Sequence, residues 1–156
     1  MSIENAAEKT ILLAVDDSEN AKRAVDYVGS FLRNSSNGYR LTLLHIIRLP
    51  EPGAFATEEE KGRHLEKKRR KAEAFMTEYR ERLLDAGVPA SAITIRVPFR
   101  SCPSLAESIL SERDIAGYST VVVGRHKLTR TEEFLYGRVS GRLINHADNC
   151  AVGVIS

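Results

Sequence analysis

Two kinds of apolar spacing alternate along this chain. Thr10-Ile11-Leu12-Leu13-Ala14-Val15 and Leu41-Thr42-Leu43-Leu44-His45-Ile46-Ile47 are nearly continuous apolar runs. A run without alternation suits a strand buried on both faces, as in a parallel sheet. Between the two runs, Ala21, Ala24, Val25, Val28 and Phe31 or Leu32 recur at the 3.6-residue period of a helix packed on a sheet. Asp16-Asp17-Ser18 offers capping oxygens at the start of that helix, and Asn34-Ser35-Ser36-Asn37-Gly38 ends it.

The alternation then continues. Arg48 to Thr57 is irregular, with Pro50, Pro52 and Gly53. A long charged helix is predicted from about Glu58 to Ala86, with Leu65, Ala72, Phe75, Met76, Tyr79 and Leu83 on one face. Gly87 and Pro89 stop it. Ile93-Thr94-Ile95-Arg96-Val97 alternates, as an edge strand with one exposed face does. Ser101-Cys102-Pro103-Ser104 opens a third helix, in which Ser104 and Glu107 have capping-box spacing. Leu105, Ala106, Ile109 and Leu110 form its buried side. Thr120 to Val123 is a short β-branched strand ended by Gly124. A polar loop, Arg125 to Tyr136, leads to a last helix with Val139, Leu143, Ile144 and Ala147 facing in, and Cys150 to Ile155 closes the pattern as a strand. Strand and helix thus alternate four times before a final strand. With right-handed crossovers this gives a doubly wound, open, parallel α/β sheet of five strands with helices on both faces. Residues 1–8 read as a flexible N-terminal tail and 9–156 as one domain without internal repeats.

Composition narrows the function classes. The 156 residues suit one core, and 42% hydrophobic with 28% charged residues is ordinary for a globular protein. A net charge of +2 gives no argument for nucleic acid. The run Lys67-Lys68-Arg69-Arg70-Lys71 lies among glutamates without aromatic interleaving, so it reads as a solvated helix face. No apolar run is long enough to cross a bilayer, and Met1 to Glu8 lacks a signal-peptide layout, which leads us to expect a cytoplasmic protein with no membrane partner. Two cysteines are too few for a disulfide framework.

In such sheets a ligand sits outside the carboxyl ends of the strands, where the strand order reverses. The loops there are Val15 to Ser18, Ile47 to Thr57, Pro98 to Pro103 and Gly124 to Gly137. The last follows a buried strand, is bounded by glycines and feeds a helix N-terminus, where backbone N–H groups and the helix dipole favour an anion. Glycine lets a ligand approach the backbone, although glycines also end strands for purely steric reasons. His45, His64, His126 and His146 lack metal-ligand spacing, so no metal site is expected. No Gly-x-Ser-x-Gly elbow, Walker A lysine, His-x-Gly-His or Ser-Gly-Gly-x-Asp-Ser signature occurs, which favours a binding module over an enzyme. Cys102 precedes a helix near Arg100, an environment that lowers a thiol pKa. A redox-sensitive thiol and a neutral filler are its two readings, the filler being the plainer one.

At these residues the chain resembles the universal stress protein family over nearly all its length. Ile11-Leu12-Leu13-Ala14-Val15-Asp16-Asp17-Ser18 looks like the family's opening strand and Val-Asp-x-Ser turn, and Leu41 to Ile46 is similar to its second strand. Val121-Val122-Val123-Gly124-Arg125 and Asn149 to Ile155 resemble its last two strands. The resemblance implies strand order 3-2-1-4-5, a homodimer through the final strand, and a stress-response module that binds ATP or another adenine nucleotide. ATP-binding members carry Gly-x-x-Gly, nine residues, then Gly-Ser/Thr. Gly124 and Gly137 fit the first and third glycines, Lys127 replaces the second, and Arg138 replaces the Ser/Thr, with Ser140 at a nearby hydroxyl position. The implied nucleotide contacts are Ala14, Val15, Asp16, Ile46, Gly124, Lys127, Gly137, Arg138, Val139 and Ser140. Asp16 would face the adenine-ribose side; it also ends a strand beside a helix cap. Ala14, Val15 and Ile46 would wall the adenine, and each is also ordinary core.

Two outcomes are open at Lys127 and Arg138. Their charges would bind phosphate in place of N–H groups and a hydroxyl, or their side chains would fill the phosphate space and pair with Glu132 or Glu133. In the second case the protein is a nucleotide-independent interaction module with an unknown protein partner. A slow ATPase without an identifiable base is a weaker third reading. Pro50 to Thr57 leaves the second strand at the ligand edge and is expected to act as a lid. The final strand would leave an open edge, which pairing Ala151 to Ile155 across a two-fold axis would cover; Gly153 contributes no side chain to that edge.

Overall fold

The computed structural model describes residues 9–33, 38–101, 105–124 and 151–155, with the backbone alone at 115–116. Five strands form one sheet: β1 Lys9–Ala14, β2 Tyr39–Leu44, β3 Ile93–Arg96, β4 Thr120–Gly124 and β5 Ala151–Ile155. Every pairing is parallel and the spatial order is β3-β2-β1-β4-β5. This is the open parallel sheet and the strand order expected. Three helices are described: α1 Glu19–Leu32, α2 Glu58–Asp85 and α3 Leu105–Ala116. The expected tail at 1–8, the Ser104 cap and the loop and helix expected across 125–150 lie outside the described residues.

The unbroken apolar runs are buried because both faces of the sheet are covered. Ile11 and Leu13 of β1 and Leu41 and Leu43 of β2 pack with Ala24, Val25 and Val28 of α1 and with Met76, Tyr79 and Leu83 of α2. Leu12, Leu44, Val121 and Val123 pack on the opposite face with Ile109 of α3. Ser18 caps α1 by accepting from the Ala21 N–H at 3.1 Å, and Thr57 caps α2 by accepting from Glu60 at 3.1 Å. At the other end of α2, Gly87 takes φ +99°. Its N–H reaches the Leu84 carbonyl and that of Val88 the Leu83 carbonyl, a Schellman ending that needs glycine. Where α1 crosses α2, a Cβ on Gly29 would lie 3.1 Å from Ala86 Cβ, so a side chain there would push the helices apart.

Two details depart from the periodic reading. Of the pair left open on α1, Leu32 is buried and Phe31 is 68% exposed. The second apolar run is not one strand: β2 stops at Leu44, and Ile47–Arg48 pairs with Phe99–Arg100 in a separate two-residue parallel ladder. Its neighbour β1 has already ended at Ala14 and turned toward α1, so residues beyond Leu44 have a strand on one side only. The His45 and Ile47 N–H groups accordingly donate to the carbonyls of Arg96 and Pro98.

Candidate functional site

The strand order reverses between β1 and β4, and the carboxyl ends of these strands lie side by side, with Ala14 opposite Val123 and Gly124 one residue beyond. The structure therefore brings Ala14, Val15, Asp16 and Gly124 to one edge of the sheet, with Ile46 just past the end of β2. The apolar residues do not form a single wall. Val15 packs with the α1–α2 side of the core, whereas Ala14 and Ile46 pack on the α3 side. Lys127, Gly137, Arg138, Val139 and Ser140, like Glu132, Glu133 and Cys102, lie outside the described residues.

The turn from β1 into α1 is fixed from several directions. The Val15 N–H donates to the Leu44 carbonyl at 2.8 Å. The Val15 carbonyl lies 2.8 Å from His45 Nδ1; a carbonyl only accepts, so Nδ1 carries the proton. The Tyr79 hydroxyl, on the fully buried face of α2, donates to the Asp16 carbonyl at 2.6 Å. The Ser18 hydroxyl donates to an Asp16 carboxylate oxygen while accepting the helix-capping bond from Ala21. Asp16 is thus held by its main chain and its side chain, half-buried at the crevice rim.

These contacts set the electrostatics. Burial pushes the His45 pKa below the ordinary histidine value; the bond to Val15 and the Asp16 and Asp17 carboxylates oppose this, and Lys68 adds to it. The imidazole is therefore neutral at pH 7. Burial raises the Tyr79 phenol above its ordinary value, and the Asp17 and Asp16 charges push the same way. The Ser18 backbone N–H facing the phenolic oxygen works against that rise.

Gly124 has a structural duty of its own. A Cβ there would sit 3.1 Å from the Asn20 carbonyl oxygen, 3.2 Å from its carbon and 3.4 Å from the Ala21 nitrogen. The first turn of α1 rests directly on the end of β4, and a side chain there would require that turn to give by a few tenths of an ångström.

A second polar assembly, on the α3 side, was not legible in the sequence. Glu112 of α3 is 2% exposed and takes both arginines of the β3 region. Arg96 donates to Glu112 Oε2 from Nη2 at 2.8 Å and from Nε at 3.1 Å. Arg100 donates to Oε1 from Nε at 3.2 Å and also from Nη2. Glu112 thereby ties α3 to β3 and to the short ladder.

Elsewhere three cations of the basic run on α2 have carboxylate partners. Arg69 pairs with Glu66 and Glu73, Arg70 with Glu66, and Lys71 lies 3.9 Å from Asp17. The Pro50 to Thr57 stretch is mostly exposed and turns at Gly53, with φ +83°, while Phe55 packs on His64 with ring centres 4.8 Å apart. Among the described residues, no three His, Cys, Asp or Glu side chains are placed to hold a metal ion, and no helix is long and apolar enough to cross a membrane.

Known proteins place this architecture. A universal stress protein from Lactobacillus plantarum superposes with TM-score 0.77 at 18% identity, over 97% of this chain and 100% of that one. A universal stress family protein from Burkholderia pseudomallei superposes with TM-score 0.72 at 21% identity, over 96% and 97% of the two chains. The universal stress protein from Archaeoglobus fulgidus in complex with dAMP gives 0.62 at 18% identity, over 95% and 98%. These likenesses show the fold. No curated protein sequence matches the chain. The family model described as the universal stress protein family matches residues 8–155, nearly the whole sequence, and with that match the chain belongs to the universal stress protein family.

Proposed function

We propose that this protein is a cytoplasmic stress-response module that binds an adenine nucleotide at the carboxyl edge of β1 and β4 and acts through binding rather than catalysis. The observation that carries this reading is the turn at Val15 to Ser18. It presents a carboxylate held on both sides, next to the end of β4 and at the reversal of strand order, where α/β sheets take their ligands. The dAMP complex of the Archaeoglobus relative supports an adenine nucleotide as the ligand class. In this reading Asp16 accepts from ribose hydroxyls, Ala14, Val15 and Ile46 contribute apolar surface, and Gly124 opens the phosphate-binding segment. Lys127, Arg138 and Ser140 meet the phosphates, with Gly137 and Val139 supplying backbone. No metal is required. Two copies pair through β5, which has a neighbour on its β4 side only among the described residues, and the Pro50 to Thr57 segment closes over the ligand.

Calorimetry with ATP, ADP and AMP on protein purified without added nucleotide tests the reading. Saturable binding at micromolar to low millimolar concentration is expected, and silence at millimolar concentration with all three refutes it. Sedimentation of the free protein tests the dimer.

One observation favours a second reading, a nucleotide-independent interaction module. Gly124 is favoured by the close packing of α1 on β4 whether or not a phosphate ever approaches it, so its presence does not by itself argue for a ligand. On this reading Lys127 and Arg138 close the pocket, and the double substitution Lys127→Gly with Arg138→Ser creates nucleotide binding that the wild type lacks.

A further inference from the structure

We propose that His45 and Tyr79 are positioning residues for the crevice, holding two consecutive carbonyls of the β1–α1 turn from the end of β2 and from α2, and thereby setting where the Asp16 carboxylate stands. The inference rests on the nucleotide reading of that crevice. It begins from a backbone requirement. β1 leaves the sheet ladder at Ala14, and among the described residues neither its β2 nor its β4 pairing reaches the Val15 and Asp16 carbonyls. A buried carbonyl must find a donor elsewhere. His45 supplies one from the end of β2 and Tyr79 the other from the middle of α2.

The two donors are mechanically linked. The Phe75 ring lies between them, meeting His45 edge-on with centroids 4.9 Å apart and Tyr79 at 5.6 Å. These three rings form a continuous strip under the turn, and Tyr79 is fully buried in it. Packing alone would be served equally by phenylalanine at 79. The hydroxyl is what the turn uses, since it donates to Asp16 and faces the Ser18 N–H. Ser18 then completes the frame by holding the Asp16 carboxylate itself. With the hydroxyl removed, the peptide between Asp16 and Asp17 loses the hydrogen bond that ties its carbonyl to the middle of α2, and the position of the carboxylate shifts with it.

The test compares Tyr79→Phe, His45→Ala and His45→Asn with the wild type, measuring AMP and ATP affinity by calorimetry. Amide hydrogen exchange at Asp17 and Ser18 is followed in the nucleotide-free protein. Loss of one neutral hydrogen bond corresponds to a roughly three- to tenfold weaker affinity for Tyr79→Phe and for His45→Ala. His45→Asn, which keeps an N–H close to the Nδ1 position, recovers most of that loss. Exchange at Ser18 quickens in Tyr79→Phe and stays slow in Leu83→Val, a core control on the same helix. Affinity within about twofold of wild type, together with exchange no faster than in the control, overturns the proposal. If the wild type takes up no nucleotide, the reading of the crevice falls, and the exchange data alone decide whether these side chains fix the turn.

Discussion

Replacing Gly124 by alanine separates the two duties that a glycine at the end of β4 can have. The new methyl would lie 3.1 Å from the Asn20 carbonyl oxygen and 3.2 Å from its carbon. Both neighbours are main-chain atoms of the first turn of α1, so no side chain can rotate out of the way. The helix start must move by a few tenths of an ångström, and that start is itself pinned by the Ser18 cap. Overpacking of this kind costs about 1–3 kcal/mol. Alanine also restricts the unfolded chain, which offsets about 0.4–1 kcal/mol. A net loss of roughly 0.5–2 kcal/mol is expected, or about 1–8 °C in Tm for a chain of this size. Gly153 in β5 is the matched control, because a Cβ there meets only the Val122 side chain, at 3.4 Å or more, an ordinary contact. Gly153→Ala should be neutral or stabilising by up to about 1 kcal/mol. Urea unfolding of both variants, monitored by circular dichroism in nucleotide-free buffer, provides the comparison. If Gly124→Ala is as stable as Gly153→Ala, the close approach of α1 to β4 is not what requires glycine, and the residue is released to serve a ligand alone.

Three further outcomes follow from the same geometry. Glu112→Gln leaves two guanidinium groups facing a neutral amide; because Arg96 and Arg100 are partly exposed and keep solvent, the loss should fall below the range for a broken buried pair, about 1–3 kcal/mol by urea titration, and a loss below about 0.5 kcal/mol would mean that the carboxylate charge does not hold α3. The His45 pKa is lowered in the folded chain, so above about pH 6.5 both states are neutral there, and below it the unfolded chain takes up the proton first. Stability should therefore fall as the pH drops below about 6.5, and His45→Asn should flatten that part of the urea-midpoint profile, while an identical slope in the variant would assign it to other groups. Asp16→Asn should abolish AMP binding with little change in Tm, measured by calorimetry and thermal unfolding, since the amide still accepts from Ser18 but no longer offers a charge to ribose hydroxyls.

The parts of the fold that were legible share one cause. Parallel strands covered on both faces must be apolar on both faces, and the runs at residues 10–15 and 41–47 announce that directly. The alternating Ile93 to Arg96 strand is equally plain, with Thr94 and Arg96 exposed on the outer position of the sheet. What periodicity misses is where a strand changes partner. Ile46 and Ile47 are as buried as Leu43, so nothing in their side chains marks the loss of β1 as a neighbour. The edge where the strand order reverses was legible, and the contacts that fix its turn were not. Asp16 and Ser18 carry the polar chemistry of the turn openly. Tyr79 reads as one more apolar position on α2, and only the structure aims its hydroxyl at a carbonyl 63 residues earlier. Glu112 was harder still. An acid on an amphipathic helix looks solvated, and its two arginines sit in segments that the alternation marks as exposed.

The central position of β1 has a consequence for how the domain assembles. On one side β1 pairs with β2, joined to it by a single helix. On its other side it pairs with β4, and the reciprocal bonds between Thr10 and Ser119 at the far end of that pairing join residues 109 positions apart. Closing so wide a loop comes at a larger entropic cost than forming the β1–β2–β3 half, whose strands follow one another in the chain. The β1–β4 seam is therefore expected to zip late in folding and to open first under strain. Asp16 and Gly124 stand on its two banks. A ligand that spans them would act as a clasp on this late-closing seam, so the occupancy of the crevice would be registered in how long the whole sheet stays shut.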